Sequence, residues 1–174
     1  HEFPGCLSSY SVHTVWCCEK LSLLVVNKPF NRLIYPKKRL PREESLVEWL
    51  AKPDIDERFQ NARPCHRLDY GTSGALLLAR SRVSANFCMH LFEGRQVKKR
   101  YHAVVLGHPP WDKETKLDAP LEGKASETFA KVLRRGHFVR AGAVTPHSRT
   151  SDPPIEVALV EARPTTGRTH QIRL

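Results

Sequence analysis

No apolar run in this chain is long enough to cross a bilayer; the longest, residues 21–26, is interrupted by Ser22 and reads as a strand. No C-x-x-C spacing occurs either. The five cysteines (Cys6, Cys17, Cys18, Cys65 and Cys88) are an odd number. Adjacent Cys17-Cys18 lack the usual chelating spacing, and Cys65-His66 has no second ligand pair nearby. That pattern predicts free thiols in a reducing, intracellular compartment, with no zinc or other metal and no structural disulfide. A serine-hydrolase elbow is missing, because Gly71-Thr72-Ser73-Gly74 is not G-x-S-x-G. Acidic residues are in short supply: 18 Asp and Glu stand against 28 Lys and Arg, a net charge of +10. Such a surplus suits a polyanion gripped through its phosphates, and it equally serves solubility alone.

What is present describes a globular chain. Its 174 residues suffice for one domain with a hydrophobic core, and 40% hydrophobic against 26% charged residues excludes wholesale disorder. Residues 1–15 carry no periodicity and read as an irregular N-terminal segment. After the strand over 21–26, Asn27-Lys28-Pro29 breaks the chain as a turn. The spacing of Leu46, Trp49 and Leu50 predicts a helix over 45–52, with Glu43 and Glu44 near its N-terminus and Pro53 as its stop. A second helix is predicted from the Ser81 cap to Glu93, with Val83, Phe87, Leu91 and Phe92 as its buried stripe and Gly94 ending it.

Residues 98–106 alternate with period two. Tyr101, Ala103 and Val105 point to one face, and His102, Val104 and Leu106 to the other. A further strand is expected over 128–133, reversing at Arg134-Arg135-Gly136 into His137-Phe138-Val139. Residues 141–154 read as a flexible loop, and 155–162 as a last strand turning through 164–167. Strands outnumber helices and many connections are short. The expected fold class is therefore α+β, a mixed, largely antiparallel β-sheet flanked by helices and loops.

Two segments carry chemistry. His66-Arg67-Leu68-Asp69-Tyr70-Gly71-Thr72-Ser73-Gly74 sets one carboxylate in a glycine-flanked turn ahead of the apolar stretch 75–79. An acid in such a turn often only accepts local hydrogen bonds. Far along the chain stands Thr166-Gly167-Arg168-Thr169-His170-Gln171-Ile172-Arg173. Between and around them lie Val25-Val26-Asn27-Lys28-Pro29, Lys99-Arg100-Tyr101-His102-Ala103 and Lys124-Ala125-Ser126-Glu127-Thr128. In this order the five blocks resemble the RluA family of RNA pseudouridine synthases, with its H-R-L-D-x-x-T-S-G, V-V-N-K-P, K-x-Y-x-A, K-x-A-x-T and G-R-T-H-Q-I-R motifs. The family usually carries glycine two residues after the proline of its N-K-P block. Here Asn31 takes that place, a residue that tolerates a left-handed backbone, so the turn is expected to survive.

The resemblance implies a pseudouridine synthase fold over residues 16–174 and an enzyme that isomerises uridine in rRNA or tRNA. It implies no cofactor, since the product is an isomer and no redox change occurs. By the same resemblance Asp69 is the catalytic nucleophile or base at the sugar–base junction. A carboxylate in a closed site stays ionised beside a guanidinium, and the family supplies one from Q-I-R, here Arg173. Tyr101 takes the place of the family's tyrosine, which stacks on the extruded uracil; in an unrelated strand it would read as a core residue. Arg67 corresponds to the arginine linked to base flipping. Lys98, Lys99 and Arg100 are candidates for RNA phosphates, with Arg168 and His170 supporting the last motif's loop beside the RNA.

Beyond Q-I-R the family continues through a histidine-bearing helix, a G-H-P-I-x-G-D-type turn and further strands. This chain opens on His1 and closes on Leu174, so both ends read as cuts, and the 174-residue piece alone is expected to be weakly active or inactive. No S4-like RNA-binding module is expected within residues 1–15. The alternative expectation is a non-catalytic RNA-binding or ribosome-assembly factor that retains the fold.

Overall fold

The computed structural model describes residues 12–36, 45–55, 57–138 and 154–173. The chain folds as two compact units, His1–Gln96 and Val97–Leu174.

The first unit opens with a hairpin of β1 (His13–Cys18) and β2 (Leu23–Lys28). Strand β1 thus begins inside the stretch expected to be irregular. Its exposed Val15 and Trp16 and a register shift between Thr14 and Trp16 blur the alternation that would have marked it in sequence. Ser22 closes the hairpin, donating its N–H to the Glu19 carbonyl at 2.9 Å with a left-handed φ of 50°.

Helix α1 (Leu46–Leu50) follows, shorter than the predicted span. Ser45 and Glu48 form a capping box: the Glu48 N–H donates to Ser45 Oγ at 3.3 Å, and the Ser45 N–H to Glu48 Oε2 at 2.8 Å. The remaining first-turn donors, the N–H groups of Leu46 and Val47, reach the carbonyls of Leu33 and Ile34. A 3-10 turn (Glu57–Phe59), β3 (Arg63–Pro64), β4 (Gly74–Ala79) and α2 (Arg82–Glu93) complete the unit.

Its sheet has the order β1-β2-β4-β3 and is antiparallel throughout. Alternate residues separate two cores. Leu24 and Val26, opposite Leu78 and Leu76, pack with Leu46, Leu50 and Phe59. On the opposite face Leu23 and Ala79 meet Cys65 and Cys88. Burial on both faces is why 76–78 is an unbroken leucine run; Leu76 and Leu78, with no exposure, each contribute about 1.5–3 kcal/mol, and half-buried Leu77 packs on the other face.

Helix α2 corrects the predicted stripe. Val83 and Phe87 are 80% and 58% exposed, whereas Cys88, at 1%, faces the sheet with half-buried Ala85 and Phe92. Small side chains at 85 and 88 share the helix face on the sheet with Phe92; of the expected stripe Leu91 and Phe92 are half-buried, and Val83 and Phe87 turn outward. The helix ends at Glu93 with Gly94 as its cap, as expected. Gly94 keeps φ −74°, and Arg95 takes the left-handed turn at φ 55°, with its N–H on the Phe92 carbonyl and the Gln96 N–H on that of Leu91.

The second unit is a sheet of β5 (Tyr101–Leu106), β6 (Thr115–Leu117), β7 (Thr128–Phe138) and β8 (Ile155–Pro164). Its order is β5-β8-β7-β6, again antiparallel. The reversal expected at Arg134-Arg135-Gly136 does not occur. Strand β7 runs on beside β8, which pairs continuously with it, and a bulge between Val132 and Arg134 absorbs the extra residue. Ala130, Ala158 and Val160 form the buried face, against half-buried Val105, Trp111 and Val132. Of the loop expected over 141–154, residues 141–153 lie outside the described residues. The α+β class holds, with two antiparallel sheets and two α-helices among the described residues.

Candidate active site

In the first unit the loop between β3 and β4 carries Asp69. Its entry is fixed by two bonds to Leu77: the Cys65 N–H donates to the Leu77 carbonyl at 2.9 Å, and the Leu77 N–H donates to His66 Nε2 at 3.0 Å. The motif's histidine is therefore an acceptor at Nε2, with its ring 4.8 Å from that of Phe92. The loop turns at Asp69, whose carbonyl takes the Thr72 N–H at 3.0 Å, and leaves through Gly74 at φ 124°, a backbone conformation open to glycine. The Asp69 side chain is half-buried and Arg67 is exposed.

Beneath this loop lies a residue that sequence reading passed over. Lys28 ends β2 directly opposite Gly74 and is 0% exposed. Its ammonium donates to the carbonyls of Pro29 at 2.8 Å, Arg32 at 2.9 Å and Tyr70 at 3.3 Å, which uses all three donors. Lysine is almost never fully buried, so the position has to be specified. Burial pushes its pKa down to about 8; the Asp69 carboxylate opposes that shift and Arg32 adds to it. One ammonium thus ties the residue after Asp69 to the turn that follows β2. Asn31 takes φ 52° in that turn, the left-handed conformation expected of it in glycine's place, and the Arg32 N–H also reaches the Tyr70 carbonyl, at 3.3 Å.

The second unit carries the other motif residues. Tyr101 opens β5 opposite Ala162 and is half-buried. Lys98 and Arg100 are exposed, with Arg100 Nε 3.5 Å from Glu161. Lys99 Nζ donates to the Thr166 carbonyl at 2.7 Å, tying the lead-in of β5 to the final loop. In that loop Arg168 Nε donates to the Ala125 carbonyl at 2.8 Å, and exposed His170 adopts a left-handed φ of 59°. The Arg173 N–H donates to the His170 carbonyl at 2.8 Å, and the arginine itself is exposed. Buried Gln171 makes four hydrogen bonds at the centre of the loop, a second residue missed in sequence. Asp69 and Arg67 thus lie on one unit, and Tyr101, Lys98, Lys99, Arg100, Arg168, His170 and Arg173 on the other. Among the described residues no group of three or more His, Cys, Asp or Glu side chains is arranged to hold a metal ion.

Solved structures share this fold. Human RNA Pseudouridylate Synthase Domain Containing 1 superposes with a TM-score of 0.69 at 27% identity, over 99% of this chain and 66% of that one. The fold is that of the pseudouridylate synthase domains. Residues 22–174 match the family described as RNA pseudouridylate synthase, and the chain belongs to that family. Curated relatives include tRNA pseudouridine synthase C of Vibrio vulnificus (strain CMCP6), 32% identical over 86% of this chain. Ribosomal large subunit pseudouridine synthase C of Vibrio cholerae is 33% identical over 87% of it. The chain spans 63% and 45% of the lengths of these two relatives. The RluA resemblance read from the five blocks agrees with both names.

Proposed function

We propose that this protein is an RNA pseudouridine synthase that isomerises particular uridines of tRNA or rRNA. The bond from uracil N1 to ribose C1′ breaks, C5 bonds to C1′, the C5 proton leaves and N1 gains one. Atoms and electrons balance without cofactor or oxidant. Asp69 acts as nucleophile or base at the sugar–base junction. Arg173 is its charge partner, and Tyr101 stacks on the flipped uracil. Arg67 assists the flip, which costs a few kcal/mol of stacking. Lys98, Lys99, Arg100, Arg168 and His170 face the phosphate backbone or brace the loop beside it, in keeping with the net charge of +10.

The observation that carries this reading is the Asp69 turn itself. A reactive carboxylate has to be held by its surroundings, and the residue after Asp69 is bound by a buried ammonium on a motif of the same family. The test is a transcriptome-wide map of modified uridines in cells with and without the gene. Sites that vanish on deletion and return with wild-type protein, but not with Asp69→Asn, support the activity. An unchanged map, or full rescue by Asp69→Asn, assigns the fold to RNA binding or ribosome assembly instead.

A further inference from the structure

Gln171 is 6% exposed and lies between two residues of the final motif that are themselves exposed, His170 and Arg173. Its amide has four partners. Oε1 accepts from Thr166 Oγ1 at 2.8 Å and from the Arg168 N–H at 2.8 Å. Nε2 donates to the Glu127 carbonyl at 2.9 Å and to Thr128 Oγ1 at 2.9 Å. The orientation is not interchangeable: a backbone N–H requires the oxygen and a backbone carbonyl requires the nitrogen. Thr166 Oγ1 in turn accepts the Glu127 N–H at 3.0 Å, so the network closes on the start of β7. Beside it His170 holds φ 59°, costly for a non-glycine residue and kept only where neighbours over-determine it. The His170 carbonyl takes the Arg173 N–H at 2.8 Å.

We propose that Gln171 is a positioning residue of the site: its amide locks the strained His170 turn to β7 and so fixes the backbone from which Arg173 projects. It rests on the pseudouridine synthase reading and deepens it. Gln171 touches neither substrate nor Asp69 in this role; it acts through Arg173. The requirement is specific, because glutamate has the same shape but presents an oxygen to the Glu127 carbonyl. A carboxyl buried against that carbonyl takes up a proton readily, and the acid O–H then restores one donor.

The experiment uses the full-length protein, with single-turnover kinetics on a uridine-containing RNA and amide exchange at Arg168. Gln171→Leu is expected to slow product formation about a hundredfold, the scale of an ångström-sized misplacement, while RNA affinity falls far less. Gln171→Glu is expected to gain rate as pH falls, a limb missing from the wild type. Amide protection at Arg168 drops in Gln171→Leu, which removes the acceptor of that N–H. Where Gln171→Leu fails to fold, Thr128→Val, which removes one of the four partners, takes its place. A near wild-type rate in Gln171→Leu or its substitute overturns the proposal. So does a rate loss matched by an equal loss of affinity, or a Gln171→Glu profile parallel to the wild type. A wild-type protein that makes no pseudouridine overturns the activity instead, and Arg168 exchange then tests the lock alone.

Discussion

Replacing Lys28 by methionine should damage activity far more than stability. Methionine keeps most of the volume and removes the charge, leaving the carbonyls of Pro29 and Arg32 without the ammonium; the Tyr70 carbonyl keeps the Arg32 N–H at 3.3 Å. Two buried carbonyls stripped of a donor cost about 1–3 kcal/mol each. Against that stands relief of a buried ammonium. A pKa lowered from 10.5 to about 8 corresponds to roughly 3 kcal/mol that burial sets against the charged form. The two nearly offset, so Lys28→Met should unfold within about 3 kcal/mol of wild type. The loop after Asp69 nevertheless loses its tie to β2, and the turnover rate should fall by about a hundredfold or more.

The sign of the pH effect follows from the same shift. The folded pKa lies below the unfolded one, so Lys28's contribution to stability is complete above pH 10.5 and is lost as pH falls through about 8. Wild-type stability should climb between those values relative to Lys28→Met. The assay is denaturant unfolding of both proteins from pH 7 to 11, with single-turnover product formation at pH 7. Parallel stability curves, or a Lys28→Met variant at wild-type rate, would refute the reasoning.

Three further outcomes follow. The Cys65 thiol is pushed up to about 12 by burial and by neighbouring Cys88, so it should resist thiol reagents at pH 8 until the chain unfolds; rapid labelling in the native state would contradict this core. Leu76→Ala, at a side chain with no exposure, should cost about 2–5 kcal/mol by denaturant unfolding. Lys98→Ala with Arg100→Ala should flatten the dependence of RNA affinity on salt, by about one charge for each phosphate no longer neutralised, with the melting temperature unchanged; an unchanged slope would remove these side chains from the RNA surface.

The motifs and the strands with clear alternation could be read directly, because period two survives wherever one face is buried, as in β5 and β8. Asn31 could be read as well, since few residues other than glycine accept its conformation. Tertiary context hid the rest. Strand β1 is half-exposed and bulged, β7 continues through an Arg-Arg-Gly that looks like a turn because β8 supplies its partners, and α2 buries Cys88 while Val83 and Phe87 face outward. Lys28 and Gln171 read in sequence as a turn lysine and a loop amide. Their importance lies in carbonyls and N–H groups brought to them by distant segments, Tyr70 for one and Glu127 for the other, which leave no local signal.

The measurement that bears most directly on the account is tritium release from RNA labelled at uridine C5, with full-length wild type and Asp69→Asn at matched RNA occupancy. Isomerisation must free that hydrogen, so wild type should release it in step with product, and Asp69→Asn should release none above background while binding RNA equally well. Release at the wild-type rate by Asp69→Asn would contradict the assignment of the chemistry to this carboxylate.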